Sequence, residues 1–158
     1  MGDPARADAA PASEEPSRLL LLYDGTCGLC HGLVRFLARR DRRDALRFAA
    51  LQSDLGRTIV TRSGGDPEVL ETLYAARDAD RLAADPEGAP LSVQVKSRAA
   101  ITAIASVGWP WRALTALRVV PRPLLDLGYR LVARTRYRLF GTRACEIPSP
   151  EERQKFLG

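Results

Sequence analysis

The sequence predicts an α/β domain in which a central mixed sheet of about four strands is flanked by helices and followed by a helical C-terminal extension. Three observations carry this. An apolar run, Leu19 to Tyr23, stops at the turn pair Asp24-Gly25 and gives way at once to a helical period. Two further strand-like runs, Leu70 to Arg77 and Leu91 to Ser97, come later and are joined by a polar connection. Beyond Gly108 the pattern is helical, broken by Pro121 and Pro123, because proline removes a backbone donor and clashes with the preceding turn.

Each element follows from its residues. Leu19 to Tyr23 is a buried strand. From Cys30 the apolar residues fall at Leu33, Val34, Leu37 and Ala38, with Arg35, Arg39 and Arg40 opposite, so a helix runs to about Asp41. Leu46 to Leu51 reads as a second strand, and Asp54 to Thr61 as a short helix closed by Ser63-Gly64-Gly65. The connection between the last two strands holds Pro86, Gly88 and Pro90 and reads as an enlarged hairpin loop. Arg98 to Val107 is a helix with Gly108 at its C-terminal end. Helices around Trp111 to Val119 and Leu124 to Phe140 complete the order.

The chain of 158 residues is long enough for one well-filled core without disulfides or metals. Met1 to Ser17 reads as a disordered tail that lacks a signal peptide's apolar region, 18–108 as the core, and 109–158 as a helical extension packed on the same domain. Arg, Pro or Asp interrupts every apolar run, which argues against a membrane span. Three cysteines, two of them at C-x-x-C spacing, do not fit a secreted disulfide scaffold, so a reducing, cytoplasmic setting is expected. The net charge of +5 comes almost wholly from arginine.

The informative segment is Tyr23-Asp-Gly-Thr-Cys-Gly-Leu-Cys-His31, where strand turns into helix. If Asp24 or Thr26 caps that helix, Cys27 lies in its first turn, exposed, where free N–H groups and the helix dipole favour a thiolate. Cys30 then turns toward the apolar stripe and is the less exposed of the two. That asymmetry suits dithiol exchange, with Cys27 as nucleophile and Cys30 as resolving thiol. Asp24 is either a base for Cys30 or a turn-forming cap.

Other chemistries share these residues. Cys-x-x-Cys-His is also a haem-attachment pattern, but the sequence has no second histidine and no methionine beyond Met1 to serve as an axial ligand. Cys27, Cys30, His31 and Cys145 form a candidate zinc set that lacks the second C-x-x-C of a typical structural site. Neither haem nor metal, nor any other cofactor, is expected.

At these residues the sequence resembles the DCC family of thiol-disulfide oxidoreductases, named for the Asp and two Cys that here are Asp24, Cys27 and Cys30. The similarity extends to Arg39 to Arg43 and to Phe48-Ala-Ala-Leu-Gln52-Ser53. A looser likeness covers Lys96 to Ala100, Trp109-Pro110-Trp111, Pro121, and Tyr129 through Arg136-Tyr137-Arg138 to Gly141 and Cys145. The resemblance implies a thioredoxin-like fold, a redox dithiol, and thiols or disulfides of proteins or small molecules as partners. Thioredoxins also carry a cis-proline facing the dithiol, for which Pro67 is the candidate here.

Arg130, Arg134 and Arg138 recur every four residues and share a helix face. On one reading they are solvated while Leu124, Gly128, Leu131, Val132 and Leu139 cover the core. On another they dock an acidic protein or an anionic membrane surface, as in a non-catalytic adaptor. The aromatic residues lack the patterning of a nucleic-acid module, so nucleic acid is not expected.

Overall fold

The computed structural model describes residues 17–70, 72–141 and 153–157. Its element order is β1 (Leu19–Tyr23), α1 (Gly28–Arg40), β2 (Leu46–Ala50), α2 (Asp54–Arg62), β3 (Tyr74–Ala76), α3 (Ala79–Ala84), β4 (Val93–Val95), α4 (Lys96–Ser106), a 3-10 helix (Trp111–Val119) and α5 (Arg122–Phe140). The sheet order is β2-β1-β3-β4, with β1 parallel to β2 and the other pairings antiparallel. This is the expected mixed sheet flanked by helices, consistent with a thioredoxin-like fold.

β1 is apolar throughout because both sheet faces are covered. Leu21 and Tyr23 pack with Val34 and Leu37 of α1 and with Ala99 and Ala103 of α4. Leu20 and Leu22 pack on the opposite face with Ile59 and Val60 of α2 and Leu82 of α3. The parallel β1–β2 pair needs a crossover, and α1 supplies it. Its start, the end of central β1, is where the cysteines stand.

Three expectations are corrected. The connection between β3 and β4 contains α3, held by buried Ala79 and Leu82, which a polar-looking segment concealed. The strand expected from Leu70 shortens to Tyr74–Ala76 because α5 takes the backbone groups before it: Leu73 N–H donates to the Tyr129 hydroxyl at 2.9 Å, and the Leu70 carbonyl accepts from Arg136, also at 2.9 Å. Trp111–Val119 is a 3-10 helix with no buried residue, held by the edge-on contact of Trp111 with Phe36 at 5.0 Å.

α5 packs against α1 and α4, but not on the face expected. Leu124, Leu131, Val132 and Leu139 are exposed, whereas Ala133 and Arg136 are buried. Residues 153–157 return to the sheet beside β2: Phe48 N–H donates to the Lys155 carbonyl at 2.8 Å, and Leu157 N–H to the Phe48 carbonyl at 2.7 Å. Lys155 Nζ pairs at 2.8 Å with the buried Asp41 carboxylate, which also accepts from the Ala45 and Leu46 N–H groups.

Candidate active site

The turn between β1 and α1 is built on Asp24. Its Oδ1 accepts from the Thr26 N–H at 2.9 Å, the Thr26 hydroxyl at 2.8 Å and the Gln52 side-chain amide at 3.0 Å. Gln52 Oε1 in turn accepts from the Gly25 N–H at 3.1 Å, and His31 Nε2 donates to the Gly25 carbonyl at 2.7 Å. The turn is therefore closed from both sides. The His31 ring also packs edge-on against Tyr23, so it braces the loop.

Cys27 is the N-cap residue of α1, with extended backbone angles, and neither Asp24 nor Thr26 caps the helix through a side chain. Both cysteines are reduced and buried, Cys27 at 0% and Cys30 at 8% exposure. The expected order of exposure is thus reversed. The cause is α5, whose end lies over the start of α1: Gly28 N–H donates to the Gly141 carbonyl at 3.2 Å. A Cβ on Gly28 would stand 2.5 Å from the Phe140 carbonyl oxygen, so only glycine fits beneath this roof.

Arg136 completes the site from α5. Nη2 pairs with Asp24 Oδ2 at 3.3 Å, and Nη1 donates to Cys30 Sγ at 3.6 Å. Arg136 and Asp24 are both buried, at 4% and 1% exposure, so each neutralises a charge that burial would otherwise penalise heavily. Burial, the adjacent Cys27 charge and a hydrogen bond to Cys27 push the Cys30 thiol up to about 12, against the pull of Arg136. Burial also raises the Tyr129 phenol.

The structure brings Asp24, Cys27 and Cys30 together and sets beside them Gln52, Tyr129 and Arg136, which the sequence did not single out for the site. A projection of α5 starting from Tyr129 would have found Arg136, since 129, 133 and 136 share a face. Pro67 is not in a cis peptide; among the described residues the cis bond is Trp109-Pro110. Cys145 lies outside the described residues. Among those residues no group of three or more His, Cys, Asp or Glu is placed to hold a metal ion, and no helix is long and apolar enough to cross a membrane.

A reduced C-x-x-C pair at a helix start, with a guanidinium beside the second sulfur, has the parts needed for thiol chemistry. The chain is 32% identical over 146 residues to YuxK, an uncharacterized protein of Bacillus subtilis (strain 168), covering 92% of this chain and 98% of that one. It is also 32% identical over 136 residues to a chloroplastic DCC family protein of Arabidopsis thaliana, covering 85% and 72%. No solved structure matches it significantly. The model of the DCC1-like thiol-disulfide oxidoreductases matches residues 21–142, and the chain belongs to that family.

Proposed function

We propose that the protein is a thiol-disulfide oxidoreductase whose exchange runs through Cys27 and Cys30. The observation that carries this reading is the contact of two reduced thiols at the start of α1, the second of them held by Arg136. Cys27 thiolate attacks one sulfur of a substrate disulfide, forming a mixed disulfide and releasing the first substrate sulfur as a thiolate. Cys30 then attacks the Cys27 sulfur, closing the Cys27–Cys30 disulfide and releasing the second. Two electrons pass to the substrate, and the two cysteine protons end on its sulfurs.

Arg136 has its effect in the second step. Once Cys27 is in the mixed disulfide, its charge and its hydrogen bond no longer hold Cys30 protonated, while Arg136 remains to stabilise the thiolate. Asp24, occupied by its donors from Thr26, Gln52 and Arg136, serves as the fixed charge that holds Arg136 rather than as a proton acceptor. Burial of both sulfurs requires the site to open for attack.

Thiol trapping with mass spectrometry across a series of glutathione potentials tests the reading. A reversible Cys27–Cys30 disulfide is expected, with Cys27→Ser abolishing exchange and Cys30→Ser accumulating mixed disulfide. A pair that stays reduced at every potential overturns it.

One observation favours a second property. Leu124, Leu127 and Leu131 are exposed beside Arg130, Arg134 and Arg138 on the outer face of α5. Leucines that insert and arginines that meet lipid phosphates suit an anionic membrane surface better than they suit a solvated face.

A further inference from the structure

We infer that the dithiol acts on a small, predominantly apolar disulfide, bound in the cavity between α1, α4 and α5, rather than on a disulfide in a folded protein. The inference rests on the dithiol reading above. The cavity measures about 350 Å³, a size suited to a small molecule. Its wall is almost wholly apolar, with Leu29 and Leu33 of α1, Ile101 of α4, and Leu125 and Val132 of α5. Cys30, Asp24 and Arg136 also line it.

Three features point to the substrate. A folded protein must bring its own surface up to a sulfur, which the end of α5 over the start of α1 obstructs, whereas the cavity is lined by Cys30 itself. Two of the polar groups in the wall are engaged within the protein: Ser97 Oγ donates to Asp126 at 2.6 Å, and Arg136 Nη2 binds Asp24 and the Leu70 carbonyl. A hydrophilic molecule would shed its hydration there and find little in exchange. The third feature is Gly128, which lines the cavity from within α5. Glycine weakens a helix interior, yet a Cβ at Gly128 would meet nothing within 4 Å, so packing does not demand glycine here. Gly128 thus lines the cavity without a side chain to narrow it, and on this proposal it marks the mouth.

Cys27 does not itself line the cavity but adjoins Cys30, whose thiol it hydrogen-bonds, so a disulfide seated against Cys30 lies beside the pair. For a cyclic disulfide, attack by Cys27 breaks the substrate S–S bond, leaving one substrate sulfur joined to Cys27 and the other as a thiolate. Cys30 then displaces the first from Cys27. The products are the Cys27–Cys30 disulfide and a substrate dithiol, with two electrons and two protons transferred to the substrate.

The test uses the full chain with lipoamide as the apolar cyclic probe and oxidised glutathione as the hydrophilic one, each rate normalised to its reaction with free dithiothreitol. The expected normalised kcat/KM is at least tenfold higher for lipoamide. Gly128→Trp, which puts bulk at the mouth, is expected to raise the lipoamide KM at least tenfold while leaving the Cys27–Cys30 potential unchanged. Ala100→Leu, in the α4 wall, serves the same purpose should the first variant fail to fold. Binding of lipoamide to the Cys27→Ser, Cys30→Ser double variant, measured calorimetrically, separates the cavity from the chemistry. Binding that Gly128→Trp removes supports the cavity even where exchange with every disulfide fails, a result that overturns only the dithiol reading. Equal normalised rates for the two probes, or lipoamide KM and binding indifferent to both wall variants, overturn the inference.

Discussion

Arg136 near the end of α5 meets Asp24 at the end of β1 at 3.3 Å, across 112 positions of sequence, and both side chains are buried. Removing one partner of such a pair strands the other's charge. Arg136→Met is expected to destabilise the fold by about 3–5 kcal/mol, and Asp24→Asn with Arg136→Met together by less than the sum of the single changes. Urea unfolding of the four proteins closes the cycle. A coupling near zero would mean that the contact contributes nothing to stability.

The Cys30 thiol gives a pH dependence with a definite sign. Its value is raised from 9.0 to about 12, so the folded protein holds this proton more tightly than the unfolded chain does. The resulting stabilisation is complete below about pH 9 and is lost as pH climbs toward about 12. Stability measured from about pH 8 to about pH 10.5 should fall less steeply in Cys30→Ala than in the parent. Because two of the raising influences come from Cys27, Cys27→Ala should also let Cys30 alkylate at lower pH. An unchanged alkylation profile would contradict this coupling.

Gly28→Ala forces a methyl group against the Phe140 carbonyl, and the backbone on one side must move. A loss of about 1–3 kcal/mol is expected, together with faster alkylation of Cys27 as the end of α5 lifts. Iodoacetamide labelling followed by peptide mapping reads the second effect. Labelling as slow as in the parent would show that this contact does not close the site.

The outer face of α5 is tested by replacing Arg130, Arg134 and Arg138 with Gln. Co-sedimentation with phosphatidylserine vesicles at low salt should fall at least tenfold, since each basic residue near an anionic surface contributes about 1 kcal/mol. The Cys27–Cys30 potential should hold, as exposed charges beyond about 10 Å are screened at ordinary salt. Parent protein that does not sediment with such vesicles would leave the arginines as a solvated face.

The sheet and the dithiol were legible because they are written locally. Leu19 to Tyr23, the turn at Asp24-Gly25 and the period from Cys30 each declare themselves within a few residues. The shielding of the site was not legible, because it depends on which face of α5 turns inward. An arginine among four others between 122 and 138 looks like surface charge until its buried partner is known. Cys27 could be read as exposed for the same reason, since the carbonyls that cover its neighbour come from Phe140 and Gly141. Local pattern also hid α3, whose two buried side chains sit in a run that otherwise reads as loop.

The pairing of residues 153–157 with Phe48 bears on how copies of this protein meet one another. β2 lies at one border of the sheet, and a bare border strand offers N–H and carbonyl groups to any extended chain that passes. Here the protein's own Lys155 and Leu157 occupy that template at Phe48, and Phe156 stacks near the Phe48 ring at 5.5 Å. The opposite border, β4, is three residues long and runs directly into α4. Neither border thus offers a long strand for continuing the sheet into a neighbouring molecule. Loss of the Lys155–Asp41 anchor would free the β2 border first, so self-association by strand pairing should begin on that side.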